Sequence, residues 1–250
     1  MYKKLAFPLN VYAKLLELDK QPVEYLHFGL FESDNTEIWQ AQKKSTEKVL
    51  SSLPDTPASI LEVGIGLGTT QKILLKLGFN AQGITPDKYQ IEIAKERLDG
   101  KGNLNCEYFE KFNTEEKFDV ILFQESAQYI KINDLFDKVC SLLKSDGRLI
   151  ILDEMCLNPS ISSGLHHPED LIQTAQKLGF ELILQEDLSI YAKPTMKYIQ
   201  EKLRTYSAEI LMLLDNNKKQ LSQLEKATED YIEKYKNDIY GYGFLVFDKK

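Results

Sequence analysis

The sequence predicts an α/β fold built on a mostly parallel sheet with helices on both faces. Three observations carry this. Residues 60–70, Ile-Leu-Glu-Val-Gly-Ile-Gly-Leu-Gly-Thr-Thr, pass from an apolar strand through a glycine turn into a helical pattern. From residue 58 onward, short apolar segments alternate with segments of helical period, as in the βα units of a parallel sheet. Asp146-Gly147 and Gly179 then punctuate this alternation as turn signals.

Taken in order, residues 9–20 and 37–52 have helical period, the second through Ile38, Ala41, Thr46, Val49 and Leu50, with a stop near Pro54. An aromatic loop, Tyr25-Leu26-His27-Phe28-Gly29-Leu30-Phe31-Glu32, lies between them. Strands are expected at 58–63, 80–84, 104–108, 118–123, 147–153 and 181–186, and helices at 69–77, 87–98, 133–143 and 168–178. After 187 the period changes. Met196, Ile199, Leu203, Tyr206, Ile210 and Leu213, then Leu221, Leu224, Thr228, Tyr231 and Tyr235, predict two amphipathic helices joined at Asp215-Asn216-Asn217. Phe244-Leu-Val-Phe247 closes the chain with a last strand, so the helical pair interrupts the sheet between its final two strands.

A chain of 250 residues buries one substantial core. Its net charge of −7, with no Lys/Arg cluster free of interleaved acids, argues against nucleic acid as partner and against docking on a membrane through a basic helix. Lys3 and Lys4 are followed by an apolar run broken at Pro8 and Asn10, which is neither a signal peptide nor a membrane span. Cys106, Cys140 and Cys156 have no metal-ligand spacing and read as thiols of a reducing compartment, so a cytoplasmic location and no metal are expected.

The glycine turn is a ligand cradle: Gly64, Gly66 and Gly68 allow a sharp turn and close approach of backbone to ligand, and Thr69 opens the helix. A dinucleotide fingerprint wants its third glycine three residues after the second, where this chain has Thr69. The glycines instead alternate, with Glu62 two residues before the first. This arrangement resembles the class I S-adenosylmethionine (SAM) methyltransferases. The next segment, Gly83-Ile84-Thr85-Pro86-Asp87-Lys88-Tyr89-Gln90, resembles one branch of them, the cyclopropane-fatty-acid-synthase-like and tocopherol-type enzymes. Further matches to that branch are the aromatic loop from Tyr25, the run Ala41-Gln42-Lys43 and the pair Phe109-Glu110, with Tyr108 as the alternative aromatic. Together they cover about residues 20–155.

The resemblance implies a Rossmann-like, seven-stranded sheet whose last strand is antiparallel. It implies SAM as cofactor, with S-adenosylhomocysteine as product, held by Tyr25, Glu62, Gly64, Gly66, Gly68, Thr69, Thr85, Gln90, Phe109, Glu110 and Gln124. Glu62 would meet the amino group of SAM, Tyr25 its carboxylate, Thr85 and Gln90 its sugar or amino-acid groups, and Phe109-Glu110 its adenine. Thr85 also reads as a helix N-cap. Residues after the fourth strand face the methyl group in class I enzymes, and Glu125-Ser126 match the tocopherol-type pattern there. Cyclopropane synthases carry a bicarbonate-binding glutamate at Gln128 and a cysteine at His27, so cyclopropanation of lipid is not expected.

The function expected is methyl transfer from SAM to a nitrogen, carbon or oxygen of a small molecule. Candidate bases are Glu125, Tyr129, His27 and His166. His166 and His167 stand beside Pro168-Glu169-Asp170, which also reads as an ordinary helix start, and Asp153-Glu154 follow the fifth strand as a wall or a polar loop. The alternatives are a SAM-fold enzyme for cyclisation or rearrangement, and a SAM-binding regulatory protein. One domain is expected over 1–250: an N-terminal helical cap (1–55), a cofactor-binding core (56–187), a helical lid (188–240) and the last strand (241–250). The lid tyrosines Tyr191, Tyr198 and Tyr206 are expected to line the acceptor pocket, and the same helices offer a surface for an oligomer.

Overall fold

The computed structural model describes residues 2–250. Helices α1 (Leu9–Leu18) and α2 (Ile38–Leu50) lead into β1 (Ser59–Val63), α3 (Thr69–Lys76), β2 (Asn80–Thr85), α4 (Lys88–Arg97) and β3 (Asn103–Cys106). Then follow β4 (Phe118–Gln124), α5 (Ile132–Leu142), β5 (Leu143–Cys156), α6 (Pro168–Lys177) and β6 (Phe180–Asp187). Four helices, α7 (Ser189–Ala192), α8 (Pro194–Thr205), α9 (Ser207–Leu213) and α10 (Lys218–Lys236), precede β7 (Tyr240–Lys249).

The seven strands form one sheet in the order β3-β2-β1-β4-β5-β7-β6. β7 runs antiparallel between β5 and β6, and the pairs from β3 through to β5 are parallel. Side chains alternate across it with period two, which puts each strand into two apolar layers. Ile60, Val120, Leu122, Ile150 and Leu152 face α1, α2, α3 and the helices after residue 188. Leu61, Val63, Ile121, Phe123, Leu149 and Ile151 face α5 and α6. The strand order reverses between β1 and β4, and a crevice opens there at the carboxyl ends.

Three local expectations need correction. Asp146-Gly147 is no free turn: β5 begins at Leu143, and the pairing with β4 jumps from Phe118↔Leu143 to Val120↔Arg148, so the two residues sit in a bulge. The third strand stops at Cys106, and Phe109–Lys111 instead form one 3-10 turn. The first insertion helix is split into α7, α8 and α9, with breaks around Lys193-Pro194 and at Tyr206. Proline at 194 lacks the N–H that would continue α7.

The insertion packs on α1 and β7. Asp19, at the end of α1, accepts from Tyr198 Oη at 2.9 Å and Tyr206 Oη at 3.4 Å and pairs with Lys202 Nζ at 3.0 Å. Tyr198 and Tyr206 are therefore anchors to α1, and Tyr191 is 45% exposed; none of the three lines the crevice described below. No helix among the described residues is long and apolar enough to cross a membrane.

Candidate active site

The carboxyl ends of β1, β2 and β4, the 3-10 turn after β3 and the aromatic loop enclose a cavity of about 480 Å³, within the usual range of small-molecule sites. Its floor is the glycine turn. Gly64 and Gly68 have φ of +80° and +81°, and a Cβ at either would stand 2.5 Å from Ser126 Cβ or 2.7 Å from Ala94 Cβ. Gly66, at φ +51°, has nothing within 4 Å of its Cβ position. The outer two glycines let elements pack, and the middle one leaves open space above the backbone.

Ten of the eleven residues expected to hold the cofactor line this one cavity: Tyr25, Glu62, Gly64, Gly66, Thr69, Thr85, Gln90, Phe109, Glu110 and Gln124. Gly68 does not; its place is the contact between α3 and α4. Of the candidate bases, Glu125, Tyr129 and His27 line the cavity and His166 does not.

Residues 61–151 match the family model described as a methyltransferase domain. Over 113 residues the chain is 32% identical to the ubiquinone biosynthesis O-methyltransferase of Pelagibacter ubique, covering 43% of this chain and 45% of that protein. Matches to the curated relatives span only 38% to 61% of their length. Among solved structures it is similar to the [4+2]-cyclase SpnF (22% identity, TM-score 0.80, 96% of this chain and 95% of that one). It is also similar to the cyclopropane synthase MmaA2 of Mycobacterium tuberculosis (17% identity, TM-score 0.83, 99% and 95%). At these identities the likeness is one of fold.

Within the cavity, Glu62 is buried at the end of β1 and accepts from Gln71 Nε2 at 2.8 Å. Burial pushes its carboxyl up to about 7, against that bond. Thr85 donates to Gln90 Oε1 at 2.7 Å, which leaves Gln90 Nε2 for the cavity. Thr85 is not the cap of α4; Asp87 is, accepting from Tyr89 N at 2.8 Å. Thr69 Oγ1 donates to Glu24 O at 2.6 Å and also takes Arg97, so it ties down the chain before the aromatic loop. Phe109 is buried edge-on against Phe123, with centroids 5.2 Å apart, whereas Tyr108, also in the wall, is 56% exposed.

The aromatic loop is fixed by α2. Leu30 N donates to Ala41 O at 2.8 Å, and Gln42 Nε2 donates to His27 O at 2.8 Å. A side chain at Gly29 would meet Ala41 Cβ at 2.5 Å, so this crossing requires glycine. His27 is neutral: burial lowers its pKa to about 4. Its Nδ1 lies 2.9 Å from Phe28 O and its Nε2 3.2 Å from Thr46 Oγ1. With both nitrogens engaged, His27 is no free base. His166 is corrected too: Nε2 contacts Ala127 O at 3.1 Å and Ile130 O at 2.9 Å, holding the turn that carries Tyr129. His167 Nδ1 lies 2.9 Å from Cys156 O, a backbone contact as well.

Glu125 follows β4 with φ of +54°, a left-handed conformation that costs a non-glycine residue about 1–3 kcal/mol. Its Oε1 accepts from Phe28 N at 2.5 Å and from Tyr242 Oη at 2.7 Å. Oε2 has no donor among the described residues. Behind it lie Asp153, which accepts from Gln128 N at 3.1 Å, and Glu154, which accepts from Tyr235 Oη at 3.2 Å. Burial, then Glu154, pushes Glu125 well up; burial takes Asp153 to about 7, and burial with Asp153 takes Glu154 to about 8. Tyr129 lines the cavity with 79% of its surface open, so its ring stands in the space and does not pack.

Sequence reasoning missed Gln42, Ser45, Thr46 and Tyr242 as supports of this site. Gln42 stood in the matched run Ala41-Gln42-Lys43 without a role, the helical register of α2 pointed at Ser45 and Thr46, and nothing local marked Tyr242.

Proposed function

We propose that this chain transfers a methyl group from SAM to a nitrogen, carbon or oxygen of a small molecule. The observation that carries the reading is the convergence of ten assigned residues, from five separate segments, on one cavity at the reversal of strand order. The residues fit the cofactor. Gly66 leaves the room that a close-lying ligand needs. Glu62 is a buried carboxyl with no cation beside it, suited to an ammonium group. Glu110 and Gln90 offer an acceptor and a donor for adenine and for sugar or amino-acid groups.

When bound, SAM supplies an electrophilic methyl on a sulfonium. The work left to the protein is orientation, worth on the order of 7–11 kcal/mol at best. The aromatic loop closes one side of the cavity and keeps water out. Glu125 Oε2 is the base that takes a proton from the acceptor, and Tyr129 is placed to touch it. The helices at 188–240 act one layer back, through Thr195 Oγ1 on Gly29 N at 3.0 Å and Tyr235 on Glu154. A cavity wall without Lys or Arg supports a small-molecule acceptor over nucleic acid. The three free thiols fit a cytoplasmic setting.

The test is incubation of the purified chain with methyl-labelled SAM and a metabolite extract. Label in a product together with stoichiometric S-adenosylhomocysteine supports the reading. Turnover of a substrate without S-adenosylhomocysteine would assign the fold to cyclisation or rearrangement instead.

A further inference from the structure

The direction of the hydrogen bonds behind the cavity wall fixes what the wall presents to a ligand. His27 Nδ1 faces a carbonyl, Phe28 O, so Nδ1 carries the proton and neutral Nε2 is an acceptor. Thr46 Oγ1 must then donate its only proton to Nε2. The Gln124 group 3.4 Å from Thr46 Oγ1 is therefore the amide nitrogen, which also reaches Ser45 Oγ at 3.4 Å. Ser45, accepting from Gln124, donates in turn to Tyr242 Oη at 3.4 Å, and Tyr242 donates to Glu125 Oε1. Two chains of bonds thus end in acceptors. Gln124 is 7% exposed and lines the cavity, with its Oε1 on the side away from α2 and no donor among the described residues reaching it. Glu125, the next residue in the chain, lines the same cavity and leaves Oε2 without a donor among the described residues.

The charge of the wall agrees. Glu24, Glu62, Asp87, Glu107, Glu110 and Glu125 line the cavity, and no Lys or Arg does. Asp153 and Glu154 of β5 stand behind Glu125, and the phenols of Tyr12, Tyr129, Tyr235 and Tyr242 face it from α1, the 127–129 turn, α10 and β7. Tyr231 faces Glu154 from the same helix as Tyr235. Burial and these carboxyls push all five phenols up, so a new phenolate or carbanion here would meet the same penalty. An ammonium would share the cost of burial but be attracted by the carboxyls.

We infer, resting on the methyl-transfer reading, that the acceptor is an amine whose nitrogen donates to Gln124 Oε1 and Glu125 Oε2. Acceptors that carry phosphate or carboxylate at this end are excluded by the same wall. Gln124 is then a specificity residue of the acceptor and not a contact of the cofactor. Glu125 takes one proton from the ammonium and frees the lone pair. That pair forms the N–C bond to the methyl as the C–S bond breaks and its electrons stay on sulfur. The product leaves as a methylammonium, S-adenosylhomocysteine remains, and Glu125 holds the proton.

The experiment uses the full chain, methyl-labelled SAM and one metabolite extract in two forms, untreated and with its amines acylated at neutral pH by an N-hydroxysuccinimidyl acetate. Labelled product should form in the first and fall at least tenfold in the second. Gln124→Leu should raise the KM for the labelled acceptor at least tenfold and leave the calorimetric Kd for SAM within about twofold. Equal labelling of the acylated extract, or label on oxygen or carbon, overturns the amine assignment and leaves methyl transfer standing. Weakened SAM binding in Gln124→Leu with an unchanged acceptor KM returns Gln124 to the cofactor and overturns it as well. No transfer to either extract by a chain that binds SAM defeats the methyl-transfer reading, and the amine with it.

Discussion

Gly66 separates space from strain more cleanly than its two neighbours do. Its φ is positive, yet nothing in the chain occupies its Cβ position. Gly66→Val should abolish SAM binding by filling that space. The left-handed backbone adds a cost of roughly 1–2 kcal/mol, so a somewhat lower melting temperature with native circular dichroism is expected. Wild-type affinity in the variant contradicts the placement of the cofactor. Glu110 and Asp87 make a second contrast. Glu110→Ala should weaken SAM by about 1–3 kcal/mol, the usual cost of leaving a polar partner unmet. Asp87 caps α4, so Asp87→Ala should cost about 1 kcal/mol of stability with a smaller effect on SAM. The reverse ranking, read by calorimetry and thermal melting, would move the ribose to Asp87. That these positions share one cavity was legible in the sequence because the glycine spacing and the Thr85-to-Gln90 segment are local patterns. Gly68 was over-read for the same reason: spacing names three glycines but not which one faces a helix and which a ligand.

Longer-range supports were not legible, and the reason is physical. Ser45 on α2 and Tyr242 on β7 are 197 residues apart in sequence, and it takes both the insertion of β7 beside β5 and the packing of α2 on the sheet to bring them together. The same crossing explains the error over the lid. Period predicted two amphipathic helices at 188–240, where the structure has four, and period does not say whether a tyrosine on them reaches a cavity or, as with Tyr198, an aspartate on α1. Asp146-Gly147 failed differently, since a bulge inside a strand uses the same residues as a turn between elements. β7 offers the test at this level. Tyr242→Phe removes a hydrogen bond that favours ionised Glu125. With Glu125 as the base, the acid limb of the pH–rate profile should move to higher pH while SAM affinity holds. A uniform loss of rate with an unmoved limb would reduce Tyr242 to packing.

The whole molecule keeps buried carboxyls whose pKa values are raised, to about 7 at Glu62 and Asp153 and about 8 at Glu154. The folded state therefore binds more protons than the unfolded state between the ordinary carboxylate range and these values. By linkage, their contribution to stability is full below about pH 4 and is lost as pH rises through 7 to 8. The urea midpoint of the ligand-free chain should accordingly fall between pH 5.5 and pH 8.5, and a midpoint that rises over that window contradicts the burial of these groups. A cation bound beside Glu62 reverses the sign there, because it favours the ionised carboxyl.

All of this converges on whether the cavity holds SAM. Isothermal titration of the purified chain with SAM and with S-adenosylhomocysteine tests that most directly. One site per chain with micromolar-range affinity, about −8 kcal/mol, is expected, and it is lost in Gly66→Val. A folded chain that binds neither compound at millimolar concentration would contradict it.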